Sequence, residues 1–455
     1  MSSPLSVSRP VALVCACGGC ALLLMTVLWS GKWTQGSPQV RLSVGILLLA
    51  LALLSILLLD RSEVGRDGLL LALLPVGAAF FLRAACLDYA SYDYRDFLAQ
   101  WAAFFRDNGG FAAIREQVGD YNVPYLYFMA AISYLPMPDL YAIKLFSILF
   151  DVILAWGGLR LAQKLAPGRP EAGYLAFLAL LLLPTVVLNG SYWGQCDSLY
   201  GALVLHALAC ALEKRPIPSM ILLAVAFSFK LQTVFLLPLW GAFWLCGVVK
   251  FRHLLVFPVT YFVTALPALL LGKPLGDILG VYVKQAGQYD QKLVYNAPTV
   301  FALIPGGIQL TDAEMALLSK VGIGAAFLLC LVVMGVLFHR RKALSPALWA
   351  AGGAVLAVGI PYLLPYMHER YFFLADVLTL AWACADRRRL PLAAVVQLGS
   401  LASYAVYLRL KYNFVLQAFG QYWVMGVESL IMLCALVVAL VSFFRLPEEE
   451  PFYEE

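Results

Sequence analysis

The chain has 455 residues, of which 62% are hydrophobic and 13% are charged, and its mean hydropathy is +0.83. Soluble proteins carry roughly 25% charged residues, so the composition excludes an ordinary soluble protein and indicates a helical protein with many membrane spans. The net charge of +5 does not indicate nucleic-acid binding, because the basic residues lie in short clusters between apolar runs, where they favour one membrane topology.

The first apolar run, within residues 1–30, fits either a signal peptide or a retained first helix. Its end is poor in small residues and a second apolar run follows directly, which favours the retained helix. It holds Cys15, Cys17 and Cys20, which are dense enough for a metal site but have no histidine or carboxylate beside them. Small residues in a packed helix are the favoured interpretation, and we predict neither a metal nor a cofactor.

The apolar runs predict an all-α polytopic membrane protein, a bundle of about 14 transmembrane helices. In chain order, the predicted spans are approximately residues 11–30, 42–60, 68–87, 139–163, 172–188, 197–212, 217–231, 232–249, 254–272, 317–338, 345–363, 371–385, 391–409 and 422–444. The two spans between Pro216 and Val249 are also compatible with one broken helix.

A cytoplasmic N-terminus places every compact basic cluster on the cytoplasmic side, as the positive-inside rule requires. These clusters are Arg61/Arg66, Arg160/Lys164/Arg169, Lys214/Arg215, Lys250/Arg252, Arg340/Arg341/Lys342 and Arg387/Arg388/Arg389. The same topology gives a single membrane domain, 1–455, with its large outer loops at 88–138 and 272–319 and a solvated acidic tail, 445–455, in the cytoplasm. Carboxylates, amides and aromatic residues concentrate in the outer loops, which favours an active site on the outer face.

The first outer loop, 88–138, carries two short amphipathic segments. The apolar face of the first is made of Phe97, Leu98, Trp101, Phe104 and Phe105. Asn108-Gly109-Gly110 ends that helix, and the second face is made of Phe111, Ile114 and Val118. Such helices fit the membrane–water boundary with their apolar side towards the lipid. We interpret the loop as the catalytic lip of a membrane enzyme.

Three carboxylates of this loop, Asp93, Asp96 and Asp120, are candidate catalytic groups. Asp93 and Asp96 stand near the start of the first amphipathic helix, where an aspartate commonly caps backbone N–H groups. The alternative is a general base that takes a proton from an acceptor hydroxyl. Asp120 precedes Tyr121 and further tyrosines, which fit an aromatic belt or a sugar-binding wall; position alone does not separate the two.

The turn at 189–198, with the sequence NGSYWGQCDS, carries more chemistry than a connector needs. Tyr192, Trp193, Gln195 and Asp197 stand within six positions of one another. Asp197 is suited to cap the next helix. The remaining side chains predict substrate binding.

Three cationic or titratable side chains are candidates for binding an anion on the outer side. Lys230 lies roughly 20 Å from the inner end of its helix, where a lysine costs about 2.5–3.5 kcal/mol unless it snorkels or pairs with an anion such as a lipid-linked phosphate. His368 and Arg370 flank Glu369 in the turn PYMHERYFF. The planar guanidinium of arginine forms paired hydrogen bonds with phosphate oxygens, and histidine donates a hydrogen bond or becomes protonated. The sequence of this turn therefore predicts an anion-binding site.

Six motifs in order resemble a known family. They are SYDYRDFLAQW, DYNVPYLY, NGSYWGQCDSLY, AFSFKLQ, YNAPTVFALIP and PYMHERYFFLADVL, and they cover about residues 88–376. The chain resembles the bacterial, GPI-mannosyltransferase-related branch of the GT-C membrane glycosyltransferases. More distantly, it is similar to the glucosyltransferases that use dolichyl-phosphate-glucose. The resemblance implies a GT-C-like helical bundle and an inverting enzyme that takes a hexose from a polyprenyl-phosphate carrier on the outer face of a plasma membrane.

The resemblance also implies roles for individual residues. The first-loop aspartate of the family matches Asp93, although Tyr92 stands where relatives often have glycine. Asp120 matches the Asp-Tyr that precedes the proline-containing segment, and Asp96 has no equally clear counterpart. His368, Glu369 and Arg370 match the His-Glu-basic turn of the family, which the resemblance implies to face the carrier phosphate. With Lys230, proposed from its depth in the membrane, His368 and Arg370 form the donor-phosphate group. The substrate-binding group is assigned to Tyr121, Tyr192, Trp193, Gln195, Asp197, Asn296 and Glu369.

Two other functions remain open at this point. A transporter or flippase of lipid-linked glycans would share the spans and the aromatic outer loops, but such proteins usually show internal repeats and broken or charged helices near the midplane. An outer-face ligase that transfers a whole glycan differs only in its donor. Under the enzyme hypothesis the partners are a polyprenyl-phosphate-linked sugar donor, a glycan or lipid-linked acceptor, and membrane lipids, with no nucleic acid.

Overall fold

The computed structural model describes residues 8–33, 36–288, 291–305, 308–409 and 414–447. The predicted acidic tail lies mostly outside the described residues. The helices are α1 (Arg9–Trp33), α2 (Pro38–Leu59), α3 (Gly65–Cys86), α4 (Ala99–Asp107), α5 (Val123–Ile132), α6 (Asp139–Leu165), α7 (Pro170–Leu182), α8 (Pro184–Val187), α9 (Asp197–Leu212), α10 (Pro216–Phe229), α11 (Leu237–Leu245), α12 (Phe251–Leu254), α13 (Val256–Leu270), α14 (Leu275–Gln288), α15 (Asp312–His339), α16 (Pro346–Leu363), α17 (Phe373–Ala385), α18 (Leu390–Tyr407) and α19 (Phe414–Arg445). Two short strands, β1 (Val294–Tyr295) and β2 (Met367–His368), pair in parallel.

Among the described residues, nine helices are long and apolar enough to cross a membrane. A tenth span follows if the pair Pro170–Leu182 and Pro184–Trp193, bent by 46°, counts as one. The bend falls at Pro184, whose ring removes a helical hydrogen bond. The chain is an all-α multi-pass membrane protein.

The predicted count of 14 spans is higher than this. Four predicted spans fall on shorter helices, whereas a crossing needs about 20 residues. They are the spans over α9 with 16 residues, α10 with 14, Leu231–Leu245, and α17 with 13. These four crossings, and the side of the membrane to which each loop is assigned, stay predictions.

The chain divides into two compact units. The first unit contains Met1–Ala209, Ile221–Lys230 and Phe257–Tyr282. The second contains Cys210–Met220, Leu231–Val256 and Val283–Glu455. The predicted catalytic lip, the turn at 189–198 and Lys230 belong to the first unit, whereas the turn around His368 belongs to the second.

Helices α1 and α3 of the first unit pack closely through glycines. A Cβ at Gly19 would lie 2.2 Å from the backbone carbonyl carbon of Leu73, and one at Gly77 would lie 2.7 Å from the carbonyl oxygen of Gly19. Only a residue without a Cβ permits this approach. The contact between α1 and α3 is therefore made by glycines, whereas Cys17 and Cys20 are exposed and Cys15 is partly buried.

The segment between α3 and α6 matches the predicted loop 88–138 and packs on the protein. Its first helix ends at Asp107 with Asn108 as the C-cap residue, and Gly109 and Gly110 follow with φ of 81° and 64°, as predicted. The second amphipathic segment is a 3₁₀ turn, Gly110–Arg115, instead of an α-helix. Phe105 and Ile114 are fully buried in one apolar cluster with residues of α5 and α13. Their burial is thus against the protein, whereas the sequence predicted burial in lipid.

In the second unit, α16 is buried along most of its length and packs against α15, α17 and α19. The chain leaves α16 at Leu363 and reaches α17 at Phe373 through β2 and a 3₁₀ turn, Glu369–Phe372. Strand β2 pairs with β1 in the register Val294 to Met367 and Tyr295 to His368. This pairing fixes the backbone of the predicted anion-binding turn.

Candidate functional site

The catalytic lip begins with a helical turn capped by Ser91. The hydroxyl of Ser91 accepts a hydrogen bond from the backbone N–H of Tyr94 at 3.2 Å and donates one to the carbonyl of Trp193 at 2.6 Å. The predicted capping role thus belongs to Ser91, since Asp93 makes no side-chain cap bond. Asp96 lies inside the widened π-helical turn Tyr94–Leu98 with an exposed side chain, so it does not cap α4.

Asp93 is held by two N–H donors from the turn at 189–198. The indole Nε1 of Trp193 donates to Asp93 Oδ2 at 3.1 Å, and the amide Nε2 of Gln195 donates to the same oxygen. Trp193 is fully buried and Gln195 is nearly so, whereas Asp93 is half-buried. Charge-assisted hydrogen bonds of this kind are short and directional. They fix the orientation of the Asp93 carboxylate relative to a buried framework.

The turn that supplies these donors has a specific backbone. Leu188–Trp193 forms a π-helical turn that ends at Gly194, whose φ is 85°. This left-handed conformation favours glycine. The Gln195 backbone is then held on both sides, since its N–H donates to the carbonyl of Asn189 at 2.9 Å and its carbonyl accepts from the hydroxyl of Ser147 at 2.8 Å.

Asp197 and Lys230 form a buried ion pair in the first unit. Both side chains are at most 6% exposed, and the Lys230 ammonium donates to Asp197 Oδ1. The other oxygen, Oδ2, accepts from the amide of Asn189 at 2.6 Å. Lys230 therefore does not snorkel, and its anionic partner here is a protein carboxylate where the sequence suggested a lipid phosphate. Asp197 begins α9, and its carboxylate contacts Asn189 and Lys230.

Aromatic rings link the Asp93 group to this ion pair. The phenol of Tyr121 donates to Gln195 Oε1 at 3.3 Å, and the Lys230 ammonium lies 5.8 Å from the centre of the Tyr121 ring, within reach of a cation–π contact. Tyr121 also stacks on Tyr125, with ring centres 4.4 Å apart. Tyr192 stacks on Tyr89 at 3.8 Å. Asp93, Gln195, Tyr121, Lys230 and Asp197 thus form one connected polar cluster in the first unit, which we call the Asp93 cluster.

Two buried lysines hold the backbone of the catalytic lip. Lys144 of α6 is fully buried, and its ammonium donates to the carbonyls of Cys86, Leu87 and Tyr89 at 2.7–3.1 Å. These are carbonyls at the C-terminal end of α3, where a cation is favourable. Lys273 donates to the carbonyl of Glu116 at 2.7 Å. Charged donors therefore hold the start of the lip and its middle, at Glu116.

A second buried ion pair lies among the helices behind the turn. Arg83 and Asp151 are fully buried, with Nη2 and Oδ2 2.9 Å apart, and Arg83 Nη1 also donates to the carbonyl of Leu181 at 2.9 Å. The hydroxyl of Ser198 donates to Asp151. Charges placed inside a membrane bundle are costly and usually paired in this manner.

The other two predicted carboxylates differ in exposure, since Asp96 is exposed and Asp120 is half-buried. Asp120 is half-buried in the turn before α5, and the neighbouring Gly119 has a φ of 61° and faces the ring of Trp101. Near Asp93, the phenol of Tyr94 is partly buried, and burial together with the charge of Asp139 raises the pKa of Tyr94. Tyr94 therefore stays a neutral phenol at physiological pH.

The predicted anion-binding turn of the second unit is built on ring stacking. The His368 imidazole stacks on the Tyr295 ring with centres 4.9 Å apart, and Tyr371 lies 5.3 Å away. Asn296 adopts a left-handed conformation with φ of 53° and bridges His368 through its backbone. The Ser403 hydroxyl donates to the Asn296 carbonyl at 2.9 Å. Asn296 thus shapes the backbone beside His368, and its own side chain is exposed.

Arg370 lies beside an acidic neighbour. Its Nη1 is 3.6 Å from Oε1 of Glu369, which is 1% exposed, and its guanidinium lies 5.8 Å from the centre of the Tyr371 ring. A carboxylate at this distance offsets part of the positive charge. The turn nevertheless combines an imidazole and a guanidinium within three residues.

Several residues of these clusters were not predicted as site residues, although the sequence indicates that they have buried partners or cap a helix. Arg83, Lys144 and Asp151 are lone charges in apolar runs, as Lys230 is, and such residues are candidates for paired or functional groups by default. Ser91 precedes a helical turn, where serine is a preferred cap. Asn189 and Ser147 gave no signal, because their roles depend on packing between helices.

Comparison of the chain with models of protein families finds no match. Comparison with curated proteins finds no match either.

Proposed function

We propose that this protein is an inverting glycosyltransferase that moves a hexose from a polyprenyl-phosphate carrier to an acceptor hydroxyl at the outer face of the membrane. The observation that carries the proposal is the Asp93 carboxylate, half-buried and oriented by Trp193 and Gln195. A general base needs a fixed position within hydrogen-bond reach of the proton it removes. The resemblance of six ordered motifs to the GT-C family supplies the reaction class.

In this mechanism Asp93 takes the proton of the acceptor hydroxyl. The acceptor oxygen attacks the anomeric carbon from the face opposite the carrier, and a new glycosidic bond forms as the bond between that carbon and the phosphate oxygen breaks. The electron pair leaves with the polyprenyl phosphate. Positive charge and N–H donors stabilise such a leaving group, and we assign this role to His368 and Arg370.

The structure changes the assignment of Lys230 in this proposal. Because Lys230 is paired with Asp197 and lies over Tyr121, we propose that it orders the Asp93 cluster, while Tyr121 and Gln195 bind substrate hydroxyls. Tyr192 is half-buried and stacks on Tyr89 by one face, and we propose that its other face packs against the apolar side of a sugar. Trp193 is fully buried, so its assigned role is to orient Asp93 through its indole N–H.

The test uses the purified full-length protein in lipid vesicles. Polyprenyl-phospho-mannose and polyprenyl-phospho-glucose are offered with membrane-lipid acceptors, and the labelled product and the released polyprenyl phosphate are measured. We expect Asp93→Asn to lower kcat by about 10²–10⁴-fold, the usual contribution of a general base. Asp96→Asn is the matched control, because Asp96 is exposed and lies three residues away, and it should stay within about twofold of the unaltered protein.

Other outcomes lead to other assignments. Full activity of Asp93→Asn moves the base to Asp120 or Asp96. Product made only from a polyprenyl-diphosphate glycan would identify the ligase. No product from any donor, together with movement of a lipid-linked glycan across the vesicle membrane, would identify the transporter.

One observation favours the transporter as the second candidate. Helices α7 and α8 form a span broken at Pro184, and the fully buried Arg83–Asp151 pair lies among the helices of the same unit. Broken helices and buried charges are common in transporters. The vesicle assay separates the two functions, because transport leaves no new glycosidic bond.

A further inference from the structure

A cavity in the second unit has no role in the mechanism above. Its volume is about 200 Å³, and its lining includes Gln232, Phe235, Gln285, Tyr366 and Tyr371. A void of about 150 Å³ admits a benzene molecule, so this cavity has room for a six-membered ring with substituents. The lining joins two amides and two phenols to apolar side chains, a combination that suits a ring with polar edges and apolar faces.

Gln232 is the polar group that points to a ligand. Its side chain is 4% exposed, and its Oε1 has no hydrogen-bond partner among the described residues. A buried carbonyl oxygen without a donor is unfavourable. Because Gln232 lines the cavity, a rotation of its amide towards a bound hydroxyl would supply the missing donor. An alkyl chain would leave the amide oxygen unpaired.

Two aromatic rings give the cavity an apolar wall. Phe235 and Tyr371 face each other at an angle, with ring centres 6.3 Å apart and planes inclined by 59°. Aromatic faces of this kind pack against the C–H groups of a sugar ring. Tyr371 is also the ring beside which His368 and Arg370 lie. The cavity therefore adjoins the turn to which we assign the carrier phosphate.

The backbone at Tyr366 supports a built site. Tyr366 is a non-glycine residue with φ of 64°, a conformation that persists only when its surroundings hold it. Its N–H donates to the carbonyl of Leu293, and its hydroxyl hydrogen-bonds that of Ser319, each at 2.8 Å. These bonds hold the Tyr366 side chain where it lines the cavity.

We infer that this cavity binds the hexopyranose ring of the sugar donor, with Gln232 Oε1 accepting a hydrogen bond from one ring hydroxyl. Gln232 is then a specificity-determining residue, because the position and direction of that hydroxyl decide whether the bond forms. A site that hydrogen-bonds a substrate hydroxyl discriminates strongly against a substrate that lacks it. The assignment of this hexose to the sugar donor rests on the proposed function.

The test measures binding without catalysis. Methyl α-mannopyranoside and methyl α-glucopyranoside are titrated against the full-length protein in detergent, with saturation-transfer NMR as the readout. Cyclohexanemethanol serves as a ring of similar size that lacks the ring hydroxyls. We expect at least one hexoside to bind, and Gln232→Leu to raise its Kd by about tenfold, the effect of one lost hydrogen bond. Gln309→Leu is the matched control in the same unit, because Gln309 is exposed and does not line the cavity.

Each other result overturns the inference. These results are the absence of hexoside binding, a Kd unchanged by Gln232→Leu, and tighter binding of cyclohexanemethanol that is insensitive to Gln232. Should Gln232→Leu fail to fold, Gln285→Leu tests a second amide of the lining by the same criterion. The transfer assay is a separate test of the proposed function. If a hexoside binds in a way that depends on Gln232 but no sugar is transferred, the sugar-binding site stands and the proposed enzyme activity is contradicted.

Discussion

The charged side chains of the Asp93 cluster in the first unit and of the turn around His368 in the second unit differ in how far along the chain their partners lie. In the first unit, the charges have partners from distant parts of the chain: Lys230 pairs with Asp197, and Arg83 pairs with Asp151. In the second unit, Arg370 has its acidic neighbour, Glu369, at the next position of the chain. Each long-range pair joins two distant segments of the chain, whereas the contact between Arg370 and Glu369 joins adjacent residues.

This difference suits the two tasks that we propose. A general base must stay within a fraction of an ångström of its working position, and the Asp93 carboxylate is bound to a framework of buried side chains. A phosphate that enters and leaves needs charge that is accessible, and the Arg370 side chain is 17% exposed whereas that of Lys230 is 6% exposed. The following predictions test this comparison, beginning with the largest expected effect.

The first prediction concerns Lys230 as a structural cation. Lys230→Met leaves the Asp197 carboxylate buried without its counter-charge, and breaking a buried pair in this way costs about 3–5 kcal/mol. We expect a large fall in the midpoint of thermal unfolding in detergent. The double variant Lys230→Met with Asp197→Asn should recover part of the loss, because it removes the uncompensated charge.

The control for this prediction is the exposed pair of Arg169 and Glu171, 2.9 Å apart. Arg169→Met should lower stability by at most about 1 kcal/mol, as for other surface pairs. If Lys230→Met were as mild as this control and instead weakened the binding of polyprenyl phosphate, Lys230 would be a phosphate ligand. The contrast between the two regions would then be lost.

The second prediction concerns Arg370. Lysine keeps the charge but loses the planar fork that matches phosphate oxygens. We expect Arg370→Lys to raise the inhibition constant of polyprenyl phosphate by about tenfold, or about 1.4 kcal/mol, with little change in stability. The matched control is Arg387→Lys in the exposed basic cluster at 387–389. Equal inhibition constants of polyprenyl phosphate for the two variants would show that Arg370 does not bind the phosphate.

The sequence predicted the helical membrane class and the end of the first helix in the loop 88–138, because both depend on local properties. Run length indicates a span, and the glycines at 109 and 110 end a helix in any context. The crowding of Tyr192, Trp193, Gln195 and Asp197 in the turn at 189–198 was also visible in the sequence.

The partners of these residues did not follow from the sequence. The hydrogen bonds from Trp193 and Gln195 to Asp93 join residues about 100 positions apart, and such pairings depend on how helices pack. The Lys230–Asp197 pair was missed for the same reason, since a lone lysine in an apolar run predicts some anion without saying which. The crossings over the short helices α9, α10 and α17 stay predictions, because hydropathy alone does not measure helix length.

The last prediction concerns the hydrogen bond from Trp193 to Asp93. Trp193→Phe removes the indole N–H and keeps an aromatic ring, so one of the two donors to Asp93 Oδ2 is lost while Gln195 remains. One such bond contributes about 0.5–1.5 kcal/mol, and we expect kcat for sugar transfer to fall about three- to tenfold with KM little changed. Trp349→Phe is the matched control: Trp349 is fully buried and stacked on Phe243, and its indole N–H has no hydrogen-bond partner in the described part of the chain. Both variants lose similar ring volume, so a fall in kcat confined to Trp193→Phe measures the orientation of the base, and equal effects would mean that the Trp193 ring acts only through packing.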